Sequence, residues 1–388
     1  MSYKVSFYSP DSHLVYDLHT LDTQGVGGGV TARIRIAHAL AELGHIVTIY
    51  NNCPKEQNID NVHYIPYEQA DKIESDIFVA STSGDGLDLS RLGEIDLHTK
   101  LQILMVHGVD PPYGINLEKF DYLYALSNFV RDIIVNRWGI EAHKLCTSHR
   151  GVKEDHYQLP EDEISGRDPF GIIYTSHPSK GLEPAINILN ILKRGDPRFS
   201  LHVYGGYQLW GEKEKTIDVV PNLTYHGLIG QRALANEMQK YSYALNIQDR
   251  EEPFGIGLIE AMRAGCIVLA SSVGAFPEII HHGYNGFLVK GKSSDETTHQ
   301  AASRIILGLT GNEDDKHFIR RNALARPHNW KTVAEVWKGH WDWALSDSQL
   351  PMDTHDLGVC QSCGANWLPL ADGLHCTGCG RYHLSLNP

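Results

Sequence analysis

Short apolar runs alternate with amphipathic helical patterns in the first part of the chain. Strands are predicted at 4–9, 45–51, 75–82, 101–108 and 122–127, and helices at 30–44 and 128–138. Gly44 is placed to end the first of these helices and Ser127 to begin the second. Strands that alternate with helices are typical of a parallel sheet with helices on both faces. Functional side chains are therefore expected on loops that follow the C-terminal ends of strands.

The alternation restarts after a stretch rich in acids, proline and glycine at 158–168. Strands are predicted at 170–176, 200–206, 222–228, 243–248, 266–272 and 285–291, and helices at 182–195, 233–241 and 255–265. This pattern predicts a second α/β domain of the same doubly wound class. A further helix is predicted at 329–345, with Asn329 as its N-cap. Its apolar stripe is predicted to comprise Val333, Val336, Trp337, Trp341 and Ala344.

Length and charge narrow the classes of function. A chain of 388 residues is too long for one ordinary core, so two domains and a small addition are expected. The net charge is −13 and no basic patch stands out, which disfavours a nucleic-acid partner. No apolar run has the length of a membrane span, and the N-terminus lacks the apolar core of a signal peptide. A cytoplasmic location is the resulting expectation.

The first strand-to-helix connection, "QGVGGGVTARI", is rich in glycine. Gly28 and its neighbours would let the backbone approach an anion at the start of the following helix, although a tight turn explains the glycines equally well. A nicotinamide cofactor would call for an acid at the end of the next strand, where the chain has Tyr50 and Asn51. A dehydrogenase is therefore disfavoured.

Two further loops carry candidate side chains. His107 follows a predicted buried strand, where it is either a hydrogen-bonded structural histidine or a neutral donor or acceptor at a ligand site. Lys180, in "YTSHPSKGLEP", precedes a glycine and a helix start. Its ammonium either strengthens an anion site at that helix terminus or lies on the surface.

The segment "DREEPFGIGLIEAMRAGC" combines acids with a glycine-rich helix start. Glu252 precedes the predicted helix, and Glu260 lies one to two turns inside it. Buried carboxylates need hydrogen-bond donors, and the hydroxyl groups of a sugar or ribose are suitable ones. Gly265 is predicted to occupy the C′ position. The arrangement predicts two carboxylates that hold hydroxyl groups on either side of phosphates bound at the helix start.

With these motifs the chain resembles the retaining glycosyltransferases of the GT-B fold, in the glycogen-synthase-like and sucrose-synthase-like group known as family 4. The resemblance runs from about residue 3 to residue 345. The matching stretches include "GGGVTARIRIAHALAELGHIV", "VHGV", "SKGLEPAI", "YHGLIG" and "EPFGIGLIEAMRAGCIVLASSVGAFPEII". It implies two Rossmann-like domains that face a cleft, and a sugar transfer from a nucleotide-diphosphate donor, most simply of the UDP or GDP type.

The resemblance also implies roles for individual residues. His107, Glu252 and Lys180 would be the catalytic residues, with His107 facing the transferred sugar. Donor-binding residues would be Gly28, Lys180, Gly227, Leu228, Glu252, Phe254, Gly255, Ile256 and Glu260. Glu260 would hold the ribose, and no catalytic metal is expected. The acceptor would be a glycan, a small molecule or another hydroxyl compound.

The chain departs from the family pattern at several positions. The family usually has an arginine five residues before the lysine, where this chain has Thr175. Arg263, Arg150 or His177 are candidates to compensate for the missing charge. "VGGLPE" is replaced by "VGAFPE", which brings Ala275 and Phe276 to the donor-sugar end.

Four cysteines cluster near the C-terminus. Cys360 and Cys363 form one C-x-x-C pair, and Cys376 and Cys379 form another after twelve intervening residues. This spacing predicts a structural zinc ion held by four thiolates, with no open position for catalysis. The small module would be able to bind a protein partner.

The predicted organisation has five parts. They are an acceptor domain at 1–160, a donor domain at 161–328, a helix at 329–346 that returns to the first domain, a linker at 347–357 and a zinc module at 358–388. Two alternatives remain open: a GT-B epimerase or phosphorylase, and a catalytically lapsed sugar-nucleotide sensor or scaffold whose zinc module recruits a partner.

Overall fold

The computed structural model describes residues 2–82, 84, 86–157, 166–215, 219–325 and 329–346, and the backbone of three short strands between 367 and 384. The helices are α1 (Leu18–Thr23), α2 (Gly28–Glu42), α3 (Asn128–Asn136), α4 (Leu182–Gly195), α5 (Gln231–Met238), α6 (Ile256–Arg263), α7 (Phe276–Ile279), α8 (Glu296–Leu309), α9 (Glu313–Leu324) and α10 (Trp330–Ala344). The strands are β1 (Lys4–Tyr8), β2 (Ile46–Asn51), β3 (Gln57–Ile59), β4 (Val62–Pro66), β5 (Lys72–Glu74), β6 (Ile77–Ser81), β7 (Asp96–His98), β8 (Leu101–Met105), β9 (Tyr122–Ala125), β10 (Leu145–Thr147), β11 (Asp168–Tyr174), β12 (Ser200–Val203), β13 (Leu223–Tyr225), β14 (Tyr241–Asn246), β15 (Ile267–Ser271), β16 (Phe287–Val289), β17 (Trp367–Leu370), β18 (Gly373–Cys376) and β19 (Tyr382–Leu384).

The chain divides into two compact units. The first comprises residues 1–17, 32–151 and 329–388, and the second comprises 18–31 and 152–328. The second unit therefore includes α1 and the first turn of α2, which precede most of the first unit in sequence. The first unit in turn includes α10, which follows the second in sequence.

The first unit contains an eight-stranded sheet in the order β10-β9-β8-β6-β1-β2-β4-β3. All its neighbouring strands are parallel except β3 and β4. In the central strands β6 and β8 every residue except the half-buried Gln102 is buried, because helices cover a doubly wound sheet on both faces. The Ser127 side chain accepts a hydrogen bond from the backbone N–H of Val130 at 3.1 Å, so the predicted start of α3 is confirmed.

The second unit contains a six-stranded parallel sheet in the order β13-β12-β11-β14-β15-β16. Relative to the chain, this order is 3-2-1-4-5-6, the strand order of a Rossmann fold. Its core is formed by apolar side chains of the sheet together with those of α4, α8 and α9. The predicted α/β class is confirmed for both units.

Helix α10 packs within the first unit through aromatic side chains. Asn329 caps it by accepting a hydrogen bond from the backbone N–H of Thr332 at 2.7 Å, as predicted. The predicted stripe is right for Trp337 and Trp341, both fully buried. It is wrong for Val333, Val336 and Ala344, which are only half-buried. The two large indole rings set the buried face, so Trp330, Ala334 and His340 lie on it instead.

His340 provides a test of this packing through pH. Its Nδ1 lies 2.6 Å from the Tyr124 hydroxyl, and burial lowers its pKa to about 4 from the ordinary 6.5. At pH values between 4 and 6.5, His340 is protonated in the unfolded chain but neutral in the native protein. The contribution of the neutral His340 ring to the free energy of unfolding is therefore complete above about pH 6.5 and is lost as the pH falls from there towards 4. We expect the free energy of unfolding to fall between pH 7 and pH 5 by about 2 kcal/mol more in the native protein than in His340→Gln. Urea unfolding at both pH values measures this difference, and equal losses would contradict it.

Candidate functional site

The strand order of the second unit fixes where a ligand can bind. The order reverses between β11 and β14, which are direct neighbours in the sheet. Connections from these two strands leave on opposite sides, so their C-terminal ends open a crevice. The loop after β11 leads to Lys180, and the loop after β14 leads to Glu252.

A cavity lies at this crevice, and all the described residues that line it belong to the second unit. Its walls come from the glycine turn at 25–31, the loop after β11, the loop after β12, the start of α5, and the segment from β14 into α6. The cavity thus combines the three stretches that the sequence singled out separately: "VGGG", "SHPSKG" and "EEPFGIGLIE".

Two helices begin at the cavity. Gly28 is the first residue of α2 and Ile256 the first of α6, and both line the cavity. A Cβ atom on Gly28 would lie 3.5 Å from the Cδ1 atom of Ile256, so the two helix starts lie side by side. Free N–H groups and the helix dipole make each start favourable for an anion.

Gly255 is required at the start of α6 for two reasons. Its φ of +97° is in the left-handed region, which favours glycine. A Cβ atom there would also lie 2.7 Å from the ring of Phe276, which is fully buried. Phe276 thus packs directly beneath the helix start. Gly265 closes α6 with a φ of +81°, which confirms its predicted C′ position.

Lys180 and Glu252 meet in the cavity wall. Lys180 Nζ donates a hydrogen bond to Glu252 Oε2 at 2.8 Å, and Gln248 Nε2 donates to the same oxygen at 3.2 Å. Glu252 is 7% exposed, so its carboxylate relies on these donors. A glycine after Lys180 permits the approach, because a Cβ atom on Gly181 would lie 2.1 Å from the carbonyl oxygen of Ile247.

Glu260 lines the same cavity from the second turn of α6. It is half-buried, as are Ile256 and Gly257 one turn before it. The two carboxylates therefore border one cavity, with the first turn of α6 between them in sequence.

Positive charge is scarce around the cavity. Lys180 is the one lysine or arginine among the described residues that line it, and Thr175 occupies the position where an arginine is usual in the resembling family. Arg263 does not line it, because its guanidinium bonds the carbonyl oxygen of Leu324 and lies 3.3 Å from Glu154. Arg150 lies in the first unit. His177 does line the cavity.

His107 lies in the first unit, two residues beyond the end of the sheet strand β8. Its backbone N–H donates to the Thr82 hydroxyl at 2.7 Å. Burial, together with the positive charges of Arg150 and Arg33, holds the pKa of His107 well below its usual value. The imidazole is therefore neutral at pH 7.

The other donor-binding residues divide into two groups. Leu228 lines the cavity with Gly28, Lys180, Glu252, Gly255, Ile256 and Glu260. Gly227 and Phe254 are not among the lining residues. Gly227 is the left-handed residue just before Leu228, and Phe254 is buried just before Gly255.

Sequence reasoning did not single out Tyr204 and Trp210 as lining residues. Both follow the strand β12, in the stretch "YGGYQLW". Both positions could have been predicted from the rule that functional residues lie on loops after the C-terminal ends of strands.

The four cysteines predicted to bind zinc fall outside the residues whose side chains are described. The backbone is described only for Cys376, which ends β18. Within the described ranges up to residue 346, no group of three or more His, Cys, Asp or Glu side chains is arranged to hold a metal ion. None of the described helices combines the length and the apolar character that a membrane span requires.

Comparisons with known proteins agree on one group of enzymes. Residues 169–323 match the family model described as glycosyl transferases group 1. An uncharacterized glycosyltransferase of Methanocaldococcus jannaschii is 27% identical over 240 residues, which cover 59% of this chain and 64% of the relative. The D-inositol 3-phosphate glycosyltransferase of Streptomyces avermitilis is 26% identical over 241 residues, which cover 56% of this chain and 50% of that protein. The chain thus spans less than two thirds of the length of either relative.

A structural comparison covers more of the chain. Anabaena HepE, solved in complex with UDP-glucose, superposes with a TM-score of 0.62 at 16% sequence identity, over 87% of this chain and 99% of HepE. Identity this low supports the fold alone. The chain therefore has the α/β fold of the GT-B glycosyltransferases, and over residues 169–323 it matches the group 1 glycosyl transferases in sequence.

Proposed function

We propose that this protein is a retaining glycosyltransferase that moves a sugar from a nucleotide-diphosphate sugar to a hydroxyl acceptor without a catalytic metal. One observation carries the proposal. A single cavity at the switch point of a Rossmann-like sheet combines two helix starts, Lys180 and two carboxylates. Helix starts and an ammonium suit a diphosphate, whereas carboxylates suit the hydroxyl groups of ribose and sugar.

Different residues of the cavity would bind different parts of the donor. The first turns of α2 and α6 would bind the diphosphate with Lys180, Glu252 would accept hydrogen bonds from sugar hydroxyls, and Glu260 would hold the ribose. Leu228 and the backbone at Gly227 would flank the base. His107 would face the transferred sugar, and the acceptor would bind to the domain at 1–160.

The chemistry needs no carboxylate nucleophile. As the bond between the anomeric carbon and the diphosphate breaks, negative charge develops on the leaving oxygen, and Lys180 and the helix dipoles would stabilise it. The acceptor oxygen would then form the new bond to the anomeric carbon from the same face of the sugar and give its proton to the leaving diphosphate, so the anomeric configuration is kept. Rate enhancement would come from positioning and electrostatics.

A screen of nucleotide sugars tests the donor site. We expect a UDP or GDP sugar to raise the melting temperature, because a ligand at 100 times its Kd stabilises the native state by about 2.7 kcal/mol. ADP and dTDP sugars complete the panel, and incubation of the stabilising donor with candidate alcohols and glycans then measures transfer. No stabilisation by any nucleotide sugar would contradict the proposal.

A second candidate function is a sugar-nucleotide sensor that binds the donor without transferring the sugar. The observation in its favour is the charge of the cavity: its described lining has one lysine and two carboxylates, and Thr175 carries no charge. Tight nucleotide binding with neither transfer nor donor hydrolysis would favour this function over the enzyme.

We also propose that Cys360, Cys363, Cys376 and Cys379 bind a structural zinc ion. The two C-x-x-C pairs support it, as does the backbone of β18, which is antiparallel to both β17 and β19 and ends at Cys376. Such a site would fold a segment too small for its own apolar core and offer a surface for a protein partner.

Elemental analysis tests the zinc module. We expect about one zinc ion per chain, lost in the double variant Cys360→Ser, Cys363→Ser and kept in the control Cys53→Ser. Cys53 is a matched control because its thiol is free and buried in the first unit. Zinc-free protein with four reduced thiols would overturn this assignment.

A further inference from the structure

His177 is a buried cavity residue with a polar atom that makes no aligned hydrogen bond among the described residues. Its side chain lines the cavity, and the residue is 3% exposed. The Nε2 atom is buried and makes no hydrogen bond within the described residues. Glu212 Oε1 lies 3.3 Å away but is not aligned with the N–H direction.

The surrounding hydrogen bonds fix which ring nitrogen carries the proton. The backbone N–H of Ser179 donates to Nδ1 at 3.2 Å, and the Ser179 hydroxyl lies 2.8 Å from the same atom. Because a backbone N–H can only donate, Nδ1 must be the acceptor. The neutral ring therefore carries its proton on Nε2, where it is available as a donor.

Aromatic packing holds the ring in place. The imidazole stacks on the indole of Trp210 with 3.7 Å between ring centroids and 10° between planes, and Tyr207 meets it edge-on at 5.2 Å. Trp210 lines the same cavity. A ring fixed on two sides presents its Nε2–H in one direction, which is the preorganisation that a ligand-binding donor needs.

Charged groups near the ring have opposing effects on the pKa of His177. Burial lowers the pKa of His177, Glu212 raises it, and Lys180 and Lys215 lower it further, with a net shift below 6.5. Arg250 lies over the face of Trp210, 4.8 Å from its ring centroid. The ring is consequently neutral at pH 7.

We propose that the Nε2–H of His177 donates a hydrogen bond directly to the diphosphate of the nucleotide sugar, and supplies part of the binding that the absent arginine at the Thr175 position would give. The inference rests on the proposed function and names a specific residue of the same site. An anion so placed would give an aligned acceptor to a buried donor whose neighbour Glu212, at 3.3 Å, is out of line with the N–H.

Two amide substitutions separate this role from a structural one. In His177→Asn the side-chain oxygen takes the place of Nδ1 and keeps the hydrogen bond from Ser179, but nothing replaces Nε2–H. In His177→Gln the amide nitrogen takes the place of Nε2–H, but the bond from Ser179 is lost. Both variants remove the stack on Trp210, so they form a matched pair.

Calorimetric titration with nucleoside diphosphates distinguishes the outcomes. We expect His177→Asn to weaken binding of the preferred nucleoside diphosphate by about 10- to 100-fold, and His177→Gln to bind at least about tenfold more tightly than His177→Asn. Binding of the corresponding nucleoside, which lacks phosphates, stays equal in both variants. Equal affinity of His177→Asn and the native protein, or equal losses in the two variants, would overturn the proposal.

Two further readouts complete the test. Because the donor is a neutral ring, the ratio of native to His177→Asn affinity is expected to stay constant from pH 6.5 to 8.5, whereas a cationic ring would lose its contribution as the pH rises. Adding Thr175→Arg to His177→Asn is expected to restore binding. A ratio that falls with pH would contradict the neutral donor. A native protein that binds no nucleoside diphosphate at all would overturn the proposed function and the role of His177 together.

Discussion

Replacing Lys180 with alanine lowers kcat for sugar transfer by about 10²- to 10³-fold, as expected for the loss of one preorganised donor at a developing negative charge. Lys180 is the one lysine or arginine among the described cavity residues, and Arg250, which lies over the ring of Trp210, is not one of them. The substitution also removes the 2.8 Å bond to the buried Glu252. Steady-state kinetics with the donor found in the nucleotide-sugar screen measure the effect, and thermal unfolding in parallel shows whether the fold survives.

Lys290→Ala is the matched control for this experiment. It removes the same charge from an exposed position of the second unit, at a side chain that makes no ion pair among the described residues. We expect its kcat to stay within about twofold of the native value. A folded Lys180→Ala protein that transfers sugar at the native rate would contradict the role of Lys180.

Replacing Trp337 with alanine destabilises the protein by about 3–5 kcal/mol, the usual cost of removing a fully buried tryptophan. Its indole N–H donates to the Ser148 hydroxyl at 2.6 Å, and its ring meets Tyr124 edge-on at 4.8 Å. Deleting the ring leaves a cavity between α10 and the sheet, and it also leaves Ser148 without this donor. For a unit of this size, we expect a fall in melting temperature of about 6–20 °C in a calorimetric scan.

Trp343→Ala is the control on the same helix. Trp343 is 41% exposed and stacks on the outer side of the buried His340 ring, so its removal is expected to cost less than about 1 kcal/mol. Nucleotide binding is expected to be unchanged in both variants, because the described residues that line the cavity all belong to the second unit. Equal destabilisation by the two substitutions would contradict the placement of α10.

Much of the fold was predictable because the main strands of both sheets are short buried apolar runs, and in the second unit most of them alternate with helices. The failures have physical causes. Helix α9 escaped prediction because its sequence, EDDKHFIRRNAL, is largely polar. Its buried face includes Lys316 and Arg320, whose aliphatic stems pack inward while Lys316 pairs with Glu313 and Arg320 bonds the carbonyl oxygen of Gly265. The spacing of apolar residues alone does not reveal a buried face that includes charged side chains.

The candidate site was predictable to the same degree and for a similar reason. The glycines, Lys180 and the two carboxylates lie in loops after strands or in the first two turns of the helices that follow, so their convergence on one crevice follows from strand order. The stack of His177 on Trp210 did not follow, because it joins the loops after two different strands through side-chain conformations. The predicted domain boundary near residue 160 also gave no sign that residues 18–31 belong to the second unit.

A crystal structure with the preferred nucleoside diphosphate bound tests the central claim most directly. The account predicts the diphosphate at the first turns of α2 and α6, within hydrogen-bond distance of Lys180 Nζ, and the ribose hydroxyls on the carboxylate of Glu260. The central claim would be contradicted by a nucleotide that binds away from these helix starts, with Lys180 still bonded to Glu252 and Glu260 not in contact with the ribose.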